Sequence, residues 1–214
     1  GHAQAVIVNS GNANTCNANG VEIAEGMCAL VQQHTGVIKE NVVVASTGVI
    51  GQELSLDPIA GGMEELCAGL RADNEGSAAA AEAIMTTDTV KKETAITFGI
   101  AGKMCTIGAV AKGVGMICPN MATMLLFVTT DVNISPEMLR RALAADMKDS
   151  VNMLSVDGDT STNDTICVMA NGRAGNTLID KAGVDYRIFK DALGAVLRKI
   201  CRMLARDGEG ATKL

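Results

Sequence analysis

The run Lys112-Gly113-Val114-Gly115-Met116-Ile117-Cys118-Pro119-Asn120-Met121-Ala122-Thr123-Met124-Leu125 decides how this chain is read. A turn-rich stretch with two glycines and a proline leads to a small residue, Ala122, and then to a hydroxyl residue, Thr123. An apolar strand follows, over residues 124–128. A threonine at such a junction can attack the carbonyl before it, move that acyl group from nitrogen to oxygen, and cut its own chain. The freed residue then holds a hydroxyl nucleophile and an α-amine of pKa about 8, which can serve as its base. The plainer alternative is a turn running into a buried strand. For an arbitrary Ala-Thr pair that alternative would hold more often than not.

Outward from this run, β-branched apolar segments predict strands at residues 5–9, 42–46, 94–100, 105–111, 124–129 and 165–170. Helical periodicity covers residues 21–33, with Ile23, Met27, Leu30 and Val31 on one face. Further helices are expected at 58–70, 77–85, 136–150 and 186–205. Ser135 is the expected N-cap of the fourth of these five, with Pro136 at its first position. The last should stop near Gly208 and Gly210. Strands and helices mixed without strict βαβ alternation read as an α/β chain of the layered, α+β kind.

Composition narrows the function classes. The chain has 214 residues, enough for a sizeable core in one domain or two small ones, and 48% of them are hydrophobic. A net charge of −6 and 2% aromatic content give nucleic acid neither a basic surface nor stacking rings, so no nucleic-acid partner is expected. No apolar run approaches the roughly 18 residues needed to span a bilayer, and no basic-then-apolar leader is visible, which predicts a cytoplasmic protein without a membrane partner. Seven widely spaced cysteines without a CxxC, and two histidines, make a zinc site a poor fit. Buried free thiols in a reducing compartment are the expectation.

Four further stretches accompany the Thr123 run: Asn9-Ser10-Gly11-Asn12-Ala13-Asn14, Ser46-Thr47-Gly48-Val49-Ile50-Gly51, Val156-Asp157-Gly158-Asp159-Thr160-Ser161-Thr162-Asn163-Asp164-Thr165, and Arg206-Asp207-Gly208-Glu209-Gly210-Ala211-Thr212-Lys213. Together and in this order they resemble the glutamate/ornithine N-acetyltransferases of arginine biosynthesis, a self-cleaving family with a threonine nucleophile. The resemblance implies a layered fold of the DmpA/ornithine acetyltransferase type, in which the nucleophile opens a central strand. It implies cleavage between Ala122 and Thr123, then transfer of acetyl from N-acetyl-L-ornithine to L-glutamate through an acetyl-Thr123 ester. Thr47 and Gly48 would stabilise the tetrahedral oxyanion, where one lost donor can cost about 3 kcal/mol. Thr86, Lys112, Thr123 and Glu209 would contact substrate, with Thr87 the alternative to Thr86 by one residue of slip. Lys112 suits a substrate carboxylate or a tetrahedral oxyanion, and Glu209 an ammonium group. No metal or organic cofactor is implied. Acetyl-CoA is a second acetyl donor in some members. The partners implied are the two self-cleaved chains, assembled as two α and two β chains.

Each of these positions also has a plainer reading. Thr47-Gly48 could be a simple strand-to-turn pair, Lys112 a solvated strand-end charge, and Glu209 an acid in an exposed loop. Asp157 to Ser161 begins like a calcium loop, but Thr162 stands where glycine is needed and Val168 where a bidentate glutamate is needed. A rigid turn near the active site is expected instead. Gly113-Val114-Gly115 lacks the third glycine of a dinucleotide fingerprint. Rival functions are an N-terminal-nucleophile aminopeptidase or amidase, which passes the acyl group to water, and an inactive binding fragment. The resemblance covers the middle of the family's sequence, so the chain reads as the central part of a catalytic domain, residues 1–214, with the family's N-terminal and C-terminal parts absent.

Overall fold

The computed structural model describes residues 1–117 and 124–211. They form a mixed α/β protein of two compact units, as the layered α/β expectation required. The Ala122–Thr123 junction falls outside the described residues.

Unit 1 comprises Gly1–Thr86 and Thr162–Thr165. Strand β1, Ala5–Asn12, runs parallel to β2, Val42–Val49. The crossover between them carries helix α1, Gly20–Thr35, as a parallel pair demands. Helices α2, Asp57–Ala68, and α3, Asn74–Ala83, follow. Ile23, Met27 and Val31 of α1 are buried with Ile7, Leu54 and Met63, and Leu30 packs against them part-buried, so the apolar face read from the sequence is the one that makes the core.

Unit 2 comprises Thr87–Ser161 and Ile166–Leu214. Its sheet has the order β3-β4-β5-β6, with β3 at Lys92–Ile100, β4 at Lys103–Lys112, β5 at Leu125–Thr130 and β6 at Thr165–Ala170. Strands β3 and β4 form a hairpin in which Ile100 faces Lys103. The two residues between, Ala101 and Gly102, both have positive φ, the twist that a two-residue turn between right-twisted strands needs. Strands β4 and β5 are also antiparallel and pair up to Lys112 opposite Leu125. Helix α4, Pro136–Met147, and the long helix α5, Val184–Arg206, complete the unit. Phe189, Leu193, Val196, Leu197, Ile200 and Leu204 recur at helical spacing along α5 and are fully buried, and α5 packs against β3, β4 and α4. Leu125 to Val128 are buried in succession, so β5 is covered on both faces and is an interior strand of the sheet.

Four boundaries differ from the sequence expectation for identifiable reasons. The third helix starts at Asn74, not 77, because the Asp73 carboxylate accepts from the Gly76 N–H at 2.8 Å and caps it. Helix α4 stops at Met147, short of 150: the Ser150 hydroxyl donates to the Asp146 carbonyl at 2.6 Å, occupying the acceptor that a continuing helix would use, and a 3-10 turn at Val151–Met153 follows. Strands β1 and β2 run three residues beyond the expected ends at 9 and 46, since their register holds through Asn12 opposite Val49. The Ser135 cap and Pro136 start of α4 stand as expected, with the Met138 N–H donating to the Ser135 hydroxyl.

The cysteine expectation needs correction. Of the six cysteines among the described residues, all free, only Cys105 is buried; Cys28, Cys67, Cys167 and Cys201 are half-buried and Cys16 is exposed. Burial pushes the Cys201 thiol up to about 11, far from the thiolate form. Among the described residues no helix is long and apolar enough to cross a membrane.

Candidate active site

In unit 1 the matched stretches at 9–14 and 46–51 lie side by side. Ser10 faces Thr47 and Gly11 faces Gly48 in the parallel register. The pair at 47–48 is therefore not a turn after a strand, the plainer reading, but part of β2, with Thr47 1% exposed. Gly48 has φ +131, and a Cβ there would stand 2.1 Å from the Gly11 carbonyl carbon. Only glycine fits. Asn9 donates its amide to the Asn12 carbonyl at 2.8 Å and to the Ser46 hydroxyl at 3.0 Å, and Ser46 donates to the same carbonyl at 2.7 Å. These bonds stitch the strand ends where two positive-φ glycines have removed side chains. The Ser10 hydroxyl donates to the Ile84 carbonyl at 2.6 Å. It so ties the strand carrying Thr47's neighbour to the turn after α3, where Thr86 is exposed two residues on. Thr87, the alternative to Thr86, is also exposed and belongs to unit 2.

In unit 2 Lys112 ends β4, as expected, but it is not a solvated charge: it is 4% exposed. Burial lowers the pKa of its ammonium, the Asp88 carboxylate opposes that, and the Lys92 cation adds to the lowering. Glu209 follows the end of α5 between two glycines and is exposed. Its N–H donates to the Val114 carbonyl at 2.8 Å. Its carboxylate lies against Gly115, where a Cβ would meet the carboxyl carbon at 3.3 Å. Lys112 and Glu209 thus flank one loop, residues 113–117, which leads from β4 toward the Ala122–Thr123 junction. Beyond the junction the chain re-enters the sheet at Leu125 as an interior strand.

Sequence reasoning missed the charged group beneath this loop. Lys92, fully buried at the start of β3, donates to Asp88 Oδ1 at 2.6 Å and to Asp207 Oδ2 at 2.5 Å. Asp88 also accepts from the Gly113 N–H at 2.8 Å. Asp207 also accepts from the Thr89 N–H and hydroxyl. Burial pushes the Asp207 carboxyl up, but the bonds from Lys92 and Thr89 outweigh it and hold the group below the usual carboxylate range. The group links the strand start at 92, the loop at 113 and the helix end at 207. The four-residue spacing of Asp88 and Lys92 was the only local signal. The contact with Asp207, 115 residues away, had none.

Fold and site define a mixed α/β protein with a buried lysine and an exposed glutamate gathered at one loop of its sheet. The chain matches the ArgJ family over residues 1–214 and belongs to it. It is 52% identical over 215 residues to the arginine biosynthesis bifunctional protein ArgJ of Symbiobacterium thermophilum, covering 100% of this chain and 53% of the relative. It is 49% identical over 211 residues to arginine biosynthesis bifunctional protein ArgJ 1 of Clostridium acetobutylicum, covering 98% and 51%. The crystal structure of arginine biosynthesis bifunctional protein ArgJ from Bacillus halodurans aligns with a TM-score of 0.49 at 44% identity, over 55% of this chain and 61% of that one. The chain spans about half the length of the curated relatives it matches.

Proposed function

We propose that this chain is the self-cleaving central part of an acetyltransferase of arginine biosynthesis, moving acetyl from N-acetyl-L-ornithine to L-glutamate. The observation that carries the reading is family membership along the entire chain with the Ala122-Thr123 junction intact in sequence. In maturation the Thr123 hydroxyl attacks the Ala122 carbonyl, the C–N bond breaks as the C–O bond forms, and the hydroxyl proton passes to the departing α-amine. Water then hydrolyses the ester, leaving a carboxyl-terminal Ala122 and an amino-terminal Thr123. In turnover the same hydroxyl takes acetyl from N-acetylornithine and releases ornithine. The Thr123 α-amine shuttles the proton, and glutamate's amine then collects the acetyl group.

Thr47 and Gly48 donate to the oxyanion, while Lys112 meets substrate carboxylate and Glu209 substrate ammonium. Thr86 is a further substrate contact. The burial of Lys112 supports this assignment, since a charge held out of water binds an anion more strongly than a solvated one. Acetyl-CoA is a second donor in some members of the family that the chain resembles. The working form is cytoplasmic, made of two α and two β chains from the cut polypeptide, and needs no metal or organic cofactor. Initial rates with both substrates varied should give parallel double-reciprocal lines, and Thr123→Ala should run as one band on a denaturing gel and make no N-acetylglutamate. Intersecting lines would contradict the acetyl-enzyme route. Acetate release that is indifferent to glutamate would mark an amidase instead.

A further inference from the structure

The stretch Val156-Asp157-Gly158 has no part in the chemistry above, yet it grips the loop that leads to the junction. Asp157 Oδ2 accepts from the Met116 N–H at 2.6 Å, and Oδ1 accepts from the Ile117 N–H at 2.9 Å. The Val156 N–H donates to the Ile117 carbonyl at 2.7 Å, so residue 117 is held through both of its backbone groups. Asp157 is itself fixed, since Oδ1 also accepts from the Asp159 N–H at 3.2 Å across Gly158, which has φ +82. The other end of the loop is tied by the Gly113 N–H on Asp88 and the Val114 carbonyl on the Glu209 N–H.

Directing two successive N–H groups at one carboxylate bends the backbone, and Met116 takes φ +50. That is a left-handed conformation uncommon for a non-glycine residue, kept only where surrounding bonds impose it. Burial pushes the Asp157 carboxyl up, but the N–H bonds from Asp159, Met116 and Ile117 prevail and hold it below the usual range, so the acceptor remains an anion near neutral pH.

We propose that Asp157 is the positioning residue for self-cleavage: by capturing the Met116 and Ile117 N–H groups it fixes the chain upstream of the Ala122–Thr123 bond. The proposal rests on Thr123 being the self-cleaving residue. An intramolecular N-to-O acyl shift is governed by how closely the hydroxyl is kept to the carbonyl carbon, and small losses of alignment are costly in rate. An anchor a few residues upstream denies the chain the slack to relax away. Asp157 touches no reacting atom in this account and acts through the loop alone.

The test is a pulse of cell-free synthesis of the full protein that carries this chain, followed on denaturing gels for the rate of cutting, with thermal melting of each product. Asp157→Asn keeps the shape but loses one of two acceptors, and should cut roughly tenfold or more slowly while melting within a few degrees of the parent. Met116→Val, whose branched side chain resists positive φ, should slow cutting likewise, whereas Met116→Gly should cut at the parent rate. A merely structural role would lower the melting temperature of Asp157→Asn and Met116→Val while leaving the folded chains cutting at the parent rate. Parent-like cutting in both Asp157→Asn and Met116→Val overturns the proposal. If Asp157→Asn does not fold, the Met116 pair decides alone. A parent chain that folds and stays whole contradicts the Thr123 reading before any variant is compared, and takes this proposal with it.

Discussion

Gly48 and Lys112 show how much a single position can hold. Gly48 combines φ +131 with a backbone contact that leaves no room for a methyl group. Gly48→Ala must therefore distort β2 or part it from Gly11, and should lower unfolding free energy by on the order of 3 kcal/mol or more. Urea denaturation would read this directly, and an unshifted midpoint would mean that the strands separate here at no cost. Lys112 raises a question of pH. Its folded pKa is lowered, first by burial, so the folded state is penalised while the amine is charged in both states. The penalty is fully present below the folded pKa and fades as pH rises toward the ordinary lysine value of 10.5. The stability of the parent relative to Lys112→Met should thus be flat near neutrality and improve with rising pH. Urea midpoints taken from neutral to alkaline pH check it, and a difference that declines with pH would reverse the sign argued here. The same variant should lose roughly tenfold or more in kcat/KM if the lysine meets substrate.

At the scale of elements, strands and helices were legible wherever periodicity and turn chemistry agreed. Strand β6 matches its expected bounds, and the apolar face named for α1 became core. What escaped was decided across space. The prolongation of β2 through Thr47 and Gly48 depends on a partner strand tens of residues away, so residues that look like a turn by local preference become paired strand. The burial of Lys112 and Lys92 was equally hidden, because a lysine looks the same in sequence whether its neighbours in the fold are water or aspartate. The candidate site was named from motifs, while the ion pairs supporting it came only with the fold. Asp207, which joins the end of α5 to the start of β3, gives a prediction at this scale. Its folded pKa lies below the ordinary 3.8, so its contribution to stability is present above that pH and is lost as pH falls through the folded value. Asp207→Asn leaves Lys92 short of a buried partner and should cost about 3 kcal/mol near neutrality. The gap between parent and variant should shrink below about pH 3.8. Acid titrations of stability check this, and curves that stay parallel down to pH 2 would deny Asp207 its ionised role.

For the whole molecule, the residues matched to the family fall in both compact units. Unit 1 carries Thr47, Gly48 and Thr86 on β2 and after α3, and unit 2 carries Lys112 and Glu209 around the loop before the junction. The central claim is that Thr123 cuts the chain and then carries the acetyl group. Intact-mass measurement under denaturing conditions, after incubation with N-acetylornithine and no glutamate, tests it most directly. The account predicts that the protein carrying this chain appears as two polypeptides in place of one, with the one beginning at Thr123 heavier by about 42 Da, one acetyl group. A single uncut chain, or two chains with no acetyl on the Thr123 fragment, would contradict it.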